Sequence, residues 1–126
     1  MNQARNAFYP GQAPIDAYGN GGFRFADMSH RGSLLCLPDG IRSWHVASAE
    51  DLRLEDLAFV LSTLSPPSFL LLGTGDRQMF PSADIRMAFS RAAMGLEPMS
   101  TGAACRTYNV LLAEGRPVAA ALIATR

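Results

Sequence analysis

The sequence predicts a single α/β domain in which helices pack on a mixed central sheet, and three observations carry that prediction. Two apolar runs, "SFLLLG" at 68–73 and "PVAAALIAT" at 117–125, are bounded by turn residues and have the continuous hydrophobicity of strands covered on both faces. Between them, apolar residues recur at helical spacing, first at Ile85, Ala88, Phe89 and Ala92, then from Thr101 to Leu112. Ahead of them, short strand-like pieces follow one another across Gly, Asn and Pro turns. Strands followed by strands that alternate with helices make a mixed sheet with helices packed on it.

Taken in chain order, residues 1–12 read as a loose, flexible tail and 13–126 as the domain. In "IDAYGNGGFRFAD" a short strand at 14–18 and a second at 23–26 flank a turn at 19–22, where Asn20 and the glycines supply the positive φ of a tight hairpin. A third strand, "GSLLCLP" at 32–38, runs into the turn triplet Pro38, Asp39, Gly40. The alternation of Ile41, Ser43 and His45 with Arg42, Trp44 and Val46 suits a half-exposed strand. A first helix is expected over 49–64: Ser48 with Asp51 resembles a weak capping box, Leu54, Leu57, Ala58, Leu61 and Leu64 keep helical spacing, and Pro66 and Pro67 stop it. Ser82 behind Pro81 is the expected N-cap of a second helix that Gly95 ends, with a short extended piece at 96–99. The third helix is expected over 101–114 with Gly115 as its cap, and Pro117 opens a central strand where its missing N–H does least harm.

Composition excludes several roles. At 126 residues one core is expected, and 11 basic residues balance 11 acidic ones, so no global field draws in nucleic acid or an anionic membrane. The N-terminal stretch lacks the apolar run of a signal peptide and no segment approaches the length of a membrane span, which predicts a cytoplasmic protein without membrane insertion. Cys36 in "LLCLP" and Cys105 in "GAACRTY" read as buried free thiols.

The candidate chemistry is sparse. "GTGDRQ" at 73–78 has a glycine pair after an apolar strand but no third glycine, so it reads as a turn in which Gly73 and Gly75 let the backbone leave the sheet. His30 and His45 are the only imidazoles, and neither they nor the cysteines show metal-ligand spacing, so no metal and no cofactor is called for. "EDLRLED" at 50–56 reads as a solvated helix face, and Trp44 as an interface residue. Arg106 and Asn109, three apart on the third helix, share a face in an otherwise apolar setting. Two readings stand side by side, a ligand contact and a structural staple. As a staple, Arg106 would tie the helix to the loop Gly73–Asp76 or to Met99 and Ser100, at the edge of a shallow cleft.

"FADMSHRGSLLCLPDGIRSW", "LLLGTG" and above all "MSTGAACRTYNVLLAEGRPVAAAL" together resemble a widespread family of small Mth938-like proteins whose mitochondrial branch acts in assembly of respiratory complex I, NADH dehydrogenase. The likeness spans about residues 14–124, and Met-x-Thr-x-Ala-Ala-x-Arg-Thr-Tyr-Asn is its most specific motif. It implies a three-layer arrangement, a mixed central sheet packed by helices with an additional β-hairpin layer. It also implies a signature surface of Gly73, Thr74, Gly75, Met99, Thr101, Arg106, Tyr108 and Asn109. With Ser100, where many members carry Asp, these residues form the candidate ligand or partner cleft, placed between the Gly73–Gly75 loop and the start of the third helix. The expected role is a non-catalytic protein-interaction module with a protein partner such as a membrane-complex subunit, and a homodimer is left open. A small-molecule or anion-binding domain, even an enzyme, is the alternative.

Overall fold

The computed structural model describes residues 8–66 and 68–126. Among the described residues, nine strands form two sheets. Strands β1 (Phe8–Pro10), β5 (Ser33–Leu37), β6 (Gly40–Trp44), β7 (Ser68–Gly73), β8 (Met94–Met99) and β9 (Ala119–Leu122) make a six-stranded sheet in the order β1-β6-β5-β9-β7-β8. Strands β2 (Ile15–Gly19), β3 (Gly22–Phe25) and β4 (Met28–Arg31) make an antiparallel three-stranded sheet. The large sheet is mixed: β7 runs parallel to both β8 and β9, whereas β5 is antiparallel to β6 and β9.

Strand periodicity divides the core in two. Leu35, Leu37, Leu70, Leu72, Ala119, Ala121 and Ile123 pack with α1 (Ala58–Thr63) and α2 (Ala83–Arg91) on one face. Leu34, Cys36, Leu71, Ala120 and Leu122 pack with α3 (Thr101–Ala113) and with Ile15, Phe23 and Phe25 of the small sheet on the other. Adjacent residues of β5, β7 and β9 therefore serve opposite faces, which is why these strands are apolar throughout apart from the opening Ser33 and Ser68. The layers are helices, central sheet, then a helix beside a hairpin sheet, as the family resemblance implies.

Several local expectations change. Residues 1–7 of the expected tail lie outside the described residues, but Phe8–Pro10 is a strand paired with β6. Arg42 helps hold it: its Nη2 donates to both carboxylate oxygens of Asp39, at 2.9 and 2.8 Å, and the guanidinium lies over the rings of Phe8, at 4.8 Å, and Phe59, at 4.7 Å. The hairpin is a three-stranded sheet because Ala26 and Asp27 turn with φ of +48° and +60°, a turn that carries no glycine. Gly32, expected to open the strand 32–38, instead turns the chain at φ +96° between β4 and β5 and sends it into the large sheet.

The first expected helix is only α1 plus two 3-10 turns, Ala49–Asp51 and Leu54–Leu57. Asp56 causes the restart, since its Oδ2 accepts the Arg53 N–H at 2.9 Å and so fixes Arg53 in an extended N-cap conformation. Ser48 caps no backbone and donates to Asp51 Oδ2. The "EDLRLED" stretch is thus not one solvated helix face. Helix α2 ends at Arg91, with Ala93 in the left-handed region, and Gly95 lies inside β8. A methyl at Gly95 would come 2.9 Å from Phe69 Cβ, so the glycine serves close strand contact.

Strands β1 and β8 are the outer strands of the large sheet, and both contain proline, Pro10 and Pro98. Met99 turns its carbonyl to Thr74 N, so Pro98 directs its own away from β7, where Gln78 Nε2 donates to it at 2.9 Å.

Candidate functional site

The crossovers on either side of β7 define where a site is built. From β7 the chain passes through α2, on one face, to β8; from β8 it passes through α3, on the other face, to β9, which lies on the opposite side of β7. The connections thus diverge between β7 and β9, and in open α/β sheets ligand sites lie beyond the carboxyl ends of the strands at such a point.

Six of the nine candidate residues, Gly73, Thr74, Gly75, Met99, Ser100 and Thr101, gather at this end. Thr74, Gly75, Met99 and Thr101 are joined directly to one another. Thr74 N donates to Met99 O at 2.9 Å, Thr101 N to Gly75 O at 2.8 Å, and Gly75 N to Thr101 Oγ1 at 2.9 Å. Thr101 Oγ1 in turn donates to Ile123 O at 2.6 Å, while Ile123 N donates to Gly73 O at 2.9 Å. Thr74 Oγ1 lies 2.7 Å from the Arg77 carbonyl and 3.1 Å from that of Met99, and accepts from the Met79 N–H at 3.0 Å. A methyl on Gly73 would come 2.9 Å from Thr101 Oγ1 and 3.0 Å from its Cα. The space between the loop and the helix is therefore filled, and the first turn of α3 is occupied as well: Ser100 Oγ accepts from Ala103 N at 3.3 Å. An anion cradle needs those N–H groups free.

The other three candidates point elsewhere. Asn109 reaches the hairpin sheet: Ile15 N donates to its Oδ1 and its Nδ2 donates to Ile15 O, both at 2.8 Å. Tyr108 is fully buried and donates to Ala13 O at 3.1 Å. Arg106 is exposed, and no hydrogen bond or ion pair joins its guanidinium to any described residue. The staple exists, but Asn109 makes it: its short amide matches one peptide unit in both donor and acceptor, and the arginine falls outside the buried face.

The open space lies on the other side of the Thr74–Met79 loop. A groove of about 510 Å³ is lined by this loop, by the 44–50 segment beyond β6 and by 123–126 beyond β9. It exists because the chain entering β5 at Ser33 comes from the small sheet, leaving the lane between 45–48 and 123–126 without a strand. Ser33 Oγ ties the two sides, donating to Val46 O at 2.6 Å and accepting from Ala124 N at 2.9 Å. Around the groove, Glu50, Asp76, Arg77 and Arg126 carry charge and make no ion pair with any described residue. These flanking residues carried no sequence signal, because each comes from a different segment and only the sheet order brings them together.

Trp44, expected at an interface, is buried in the core and donates to Asp56 O at 3.1 Å. Exposed His45 meets Asp56 Oδ1 at 2.7 Å. His30 lies 3.3 Å from Ser33 O, and partial burial lowers its pKa, opposed by that contact. Both cysteines are free and buried. Burial pushes the Cys105 thiol up to about 12, and burial raises Cys36 further, so neither is a thiolate at neutral pH. Among the described residues no group of three or more His, Cys, Asp or Glu side chains is placed to hold a metal ion.

The model of a family described as a protein of unknown function, DUF498/DUF598, matches residues 15–123. The chain is 33% identical over 124 residues to the Homo sapiens NADH dehydrogenase [ubiquinone] 1 alpha subcomplex assembly factor 3, which covers 98% of this chain and 64% of that protein. It therefore spans under two thirds of that relative. Among solved structures it is similar to a Bartonella henselae protein described as an outer membrane protein, with 49% identity, a TM-score of 0.85 and coverage of 94% of this chain and 99% of that one. A Bordetella pertussis Mth938-like domain aligns at 28% identity with a TM-score of 0.73, covering 96% and 87%.

Proposed function

We infer a role from kinship: this chain belongs to the DUF498/DUF598 family, shares the Mth938-like fold, and has curated relatives that are complex I assembly factors. On that premise we propose a non-catalytic protein-interaction module that acts in the assembly or biogenesis of a membrane-bound complex such as NADH dehydrogenase, with a subunit of that complex as its partner. The carrying observation is the relatedness to assembly factor 3 across almost the whole of this chain.

The chemistry of the candidate residues supports the same reading. Thr74, Thr101, Tyr108 and Asn109 spend their polar atoms on the chain's own backbone, and the two thiols are held protonated by burial. A nucleophile needs a neighbouring base or a depressed pKa, and these groups have the reverse. We place the protein in the cytoplasm, at the membrane through its partner. No helix among the described residues is long and apolar enough to cross a membrane.

Affinity capture of the full chain from gently solubilised native membranes tests the reading. Reproducible recovery of NADH dehydrogenase subunits or assembly intermediates is the expected result. Recovery of none, or fractionation of the protein with the outer membrane independently of any partner, would overturn it.

A further inference from the structure

We propose that the small sheet accepts an extended segment of a protein partner as an added strand along β4, its backbone paired with Ser29 and Arg31 and its carboxylates set beside Arg24 and Arg31. This rests on the interaction reading above and names the surface that serves it.

The first argument is which strand edge is open. Of the four border strands, β1 and β8 carry Pro10 and Pro98, and β2 has a bulge between Ile15 and Ala17 and gives the N–H and C=O of Ile15 to Asn109. Strand β4 has neither proline nor bulge, and its Met28, Ser29 and Arg31 are exposed. Its hydrogen-bonding pattern follows from the turn before it. Ala26 and Asp27 make a two-residue turn with positive φ, so the flanking pair Phe25 and Met28 is hydrogen-bonded, and so is Phe23 with His30. Ser29 and Arg31 therefore turn their N–H and C=O groups away from β3, where no described residue meets them. A donor and an acceptor on each of these alternate residues are what an added strand pairs with.

The second argument is charge. Ser29 and Arg31 share the face of the small sheet turned away from the core, and Arg24, paired with Ser29, stands on it too. Arg24 Nη1 donates to Ser29 Oγ at 3.0 Å, which draws its guanidinium toward β4. These residues border a shallow trough of about 420 Å³ floored by Ala17, Gly19 and Gly22. No carboxylate lines it: Asp16 lies at the bulge and Asp27 in the turn, and no ion pair joins either to Arg24 or Arg31. A guanidinium without an ion partner favours a carboxylate, which it grips with two parallel hydrogen bonds.

Charge also separates the occupants. A second copy pairing edge to edge through β4 would bring its own Arg24 and Arg31 against these, and like charges across a ladder destabilise it. A strand with Asp or Glu at the alternate positions facing the trough has the opposite sign. Its intervening residues come beside Met28, which is 42% exposed and paired with Phe25 on the core side, so they are apolar.

The test has two arms. In the first, a displayed random-peptide library is panned on the full chain, and selected peptides are followed by amide chemical shifts and amide hydrogen exchange. The expected binders alternate Asp or Glu with apolar residues and perturb Arg24 and 28–31. They also slow exchange of the Ser29 and Arg31 amides, which backbone pairing does and charge attraction alone does not. Arg31→Glu should weaken them about tenfold or more, the size of one lost charge-assisted hydrogen bond. Ser29→Pro deletes an outward N–H and spares the ladder to β3, so it should weaken them too, and Arg91→Glu on α2 should not. Basic binders, binders that leave the two amides exchanging freely, no binders, or affinity indifferent to both β4 variants would overturn the proposal. So would equal shifts with inorganic phosphate or anionic vesicles in place of peptide, or a dimer of the chain that protects the two amides by itself. In the second arm the membrane capture is repeated with Arg31→Glu and Ser29→Pro. Loss of the partner that the wild-type chain recovers is expected. Undiminished recovery overturns the β4 edge and leaves the assembly role standing, whereas an empty wild-type capture counts against the assembly role and the peptide arm alone decides the edge.

Discussion

Asn109 of α3 and Ile15 of β2 are joined by a reciprocal pair of hydrogen bonds, each 2.8 Å, in which one side-chain amide satisfies both backbone groups of a residue 94 positions away. The pair clasps the hairpin sheet to the helix that covers the central sheet. Asn109→Ala would leave the Ile15 N–H and C=O without partners in a half-buried setting, at a cost of about 1–3 kcal/mol. Arg106→Ala, one turn away and without a partner, should stay within about ±0.5 kcal/mol. Urea unfolding of the two variants checks this, and equal losses would contradict it.

Thr101 is the second clasp, because a single hydroxyl accepts from Gly75 and donates to Ile123. Thr101→Val keeps the shape and removes the hydroxyl, so both backbone groups lose their partner, again for about 1–3 kcal/mol. Thr101→Ser should retain most of the stability. A valine variant as stable as the serine variant in thermal unfolding would refute the assignment.

Gly73 and Gly102 provide a contrast in packing. A methyl at Gly73 meets Thr101 backbone in a closed interior, so Gly73→Ala should destabilise by about 1–3 kcal/mol. At Gly102 the added methyl meets the ring and hydroxyl of Tyr18, a side chain 44% exposed and free to swing outward. Gly102→Ala should therefore cost clearly less than Gly73→Ala, as measured by the shift in denaturation midpoint.

The buried thiols give the protein an alkaline limit. Folded Cys105 and Cys36 keep their protons to about pH 12 and beyond, whereas an unfolded cysteine releases its proton near about pH 8.5. Over that interval the native state binds more protons than the unfolded one, so stability falls as pH rises through it. The melting temperature should decline above about pH 9, and less steeply in Cys105→Ala. Both thiols should also resist alkylation until denaturant is added.

His30 acts in the opposite direction. Burial lowers its folded pKa, so below about pH 6.5 the unfolded chain takes up a proton that the native one resists, and stability falls with pH. His30→Gln should flatten the melting temperature between pH 7 and pH 5 relative to wild type. An unchanged slope would show that other groups carry the acid response.

Fold class and layer order were legible because burial on both faces leaves an unmistakable mark: β7 after Ser68 and the whole of β9 are unbroken apolar runs, and α3 carries its stripe intact. The segment 49–64 misled because its spacing is helical while Asp56 spends its carboxylate on the Arg53 N–H, and spacing alone does not register a side chain that competes for backbone. The staple reading of Arg106 fails for a related reason. Charge drew attention to the arginine, but the geometry of a peptide-like partner belonged to Asn109. The groove residues were invisible for a topological reason: Val46, Arg77 and Ile123 become neighbours only through the strand order β6-β5-β9-β7.

The prolines on the two outer strands bear on how the molecule behaves in a crowd. An uncovered strand edge templates addition of the next chain, and repetition of that step is polymerisation. Pro10 at one border has no N–H to offer an incoming strand, and at the other border Pro98 has none and its carbonyl is already held by Gln78. Each border of the large sheet thus has a gap in the ladder that an incoming strand would need. Gln78→Ala combined with Pro98→Val restores both an N–H and a free carbonyl to the β8 border, and is the change that would most directly open that edge to an incoming strand.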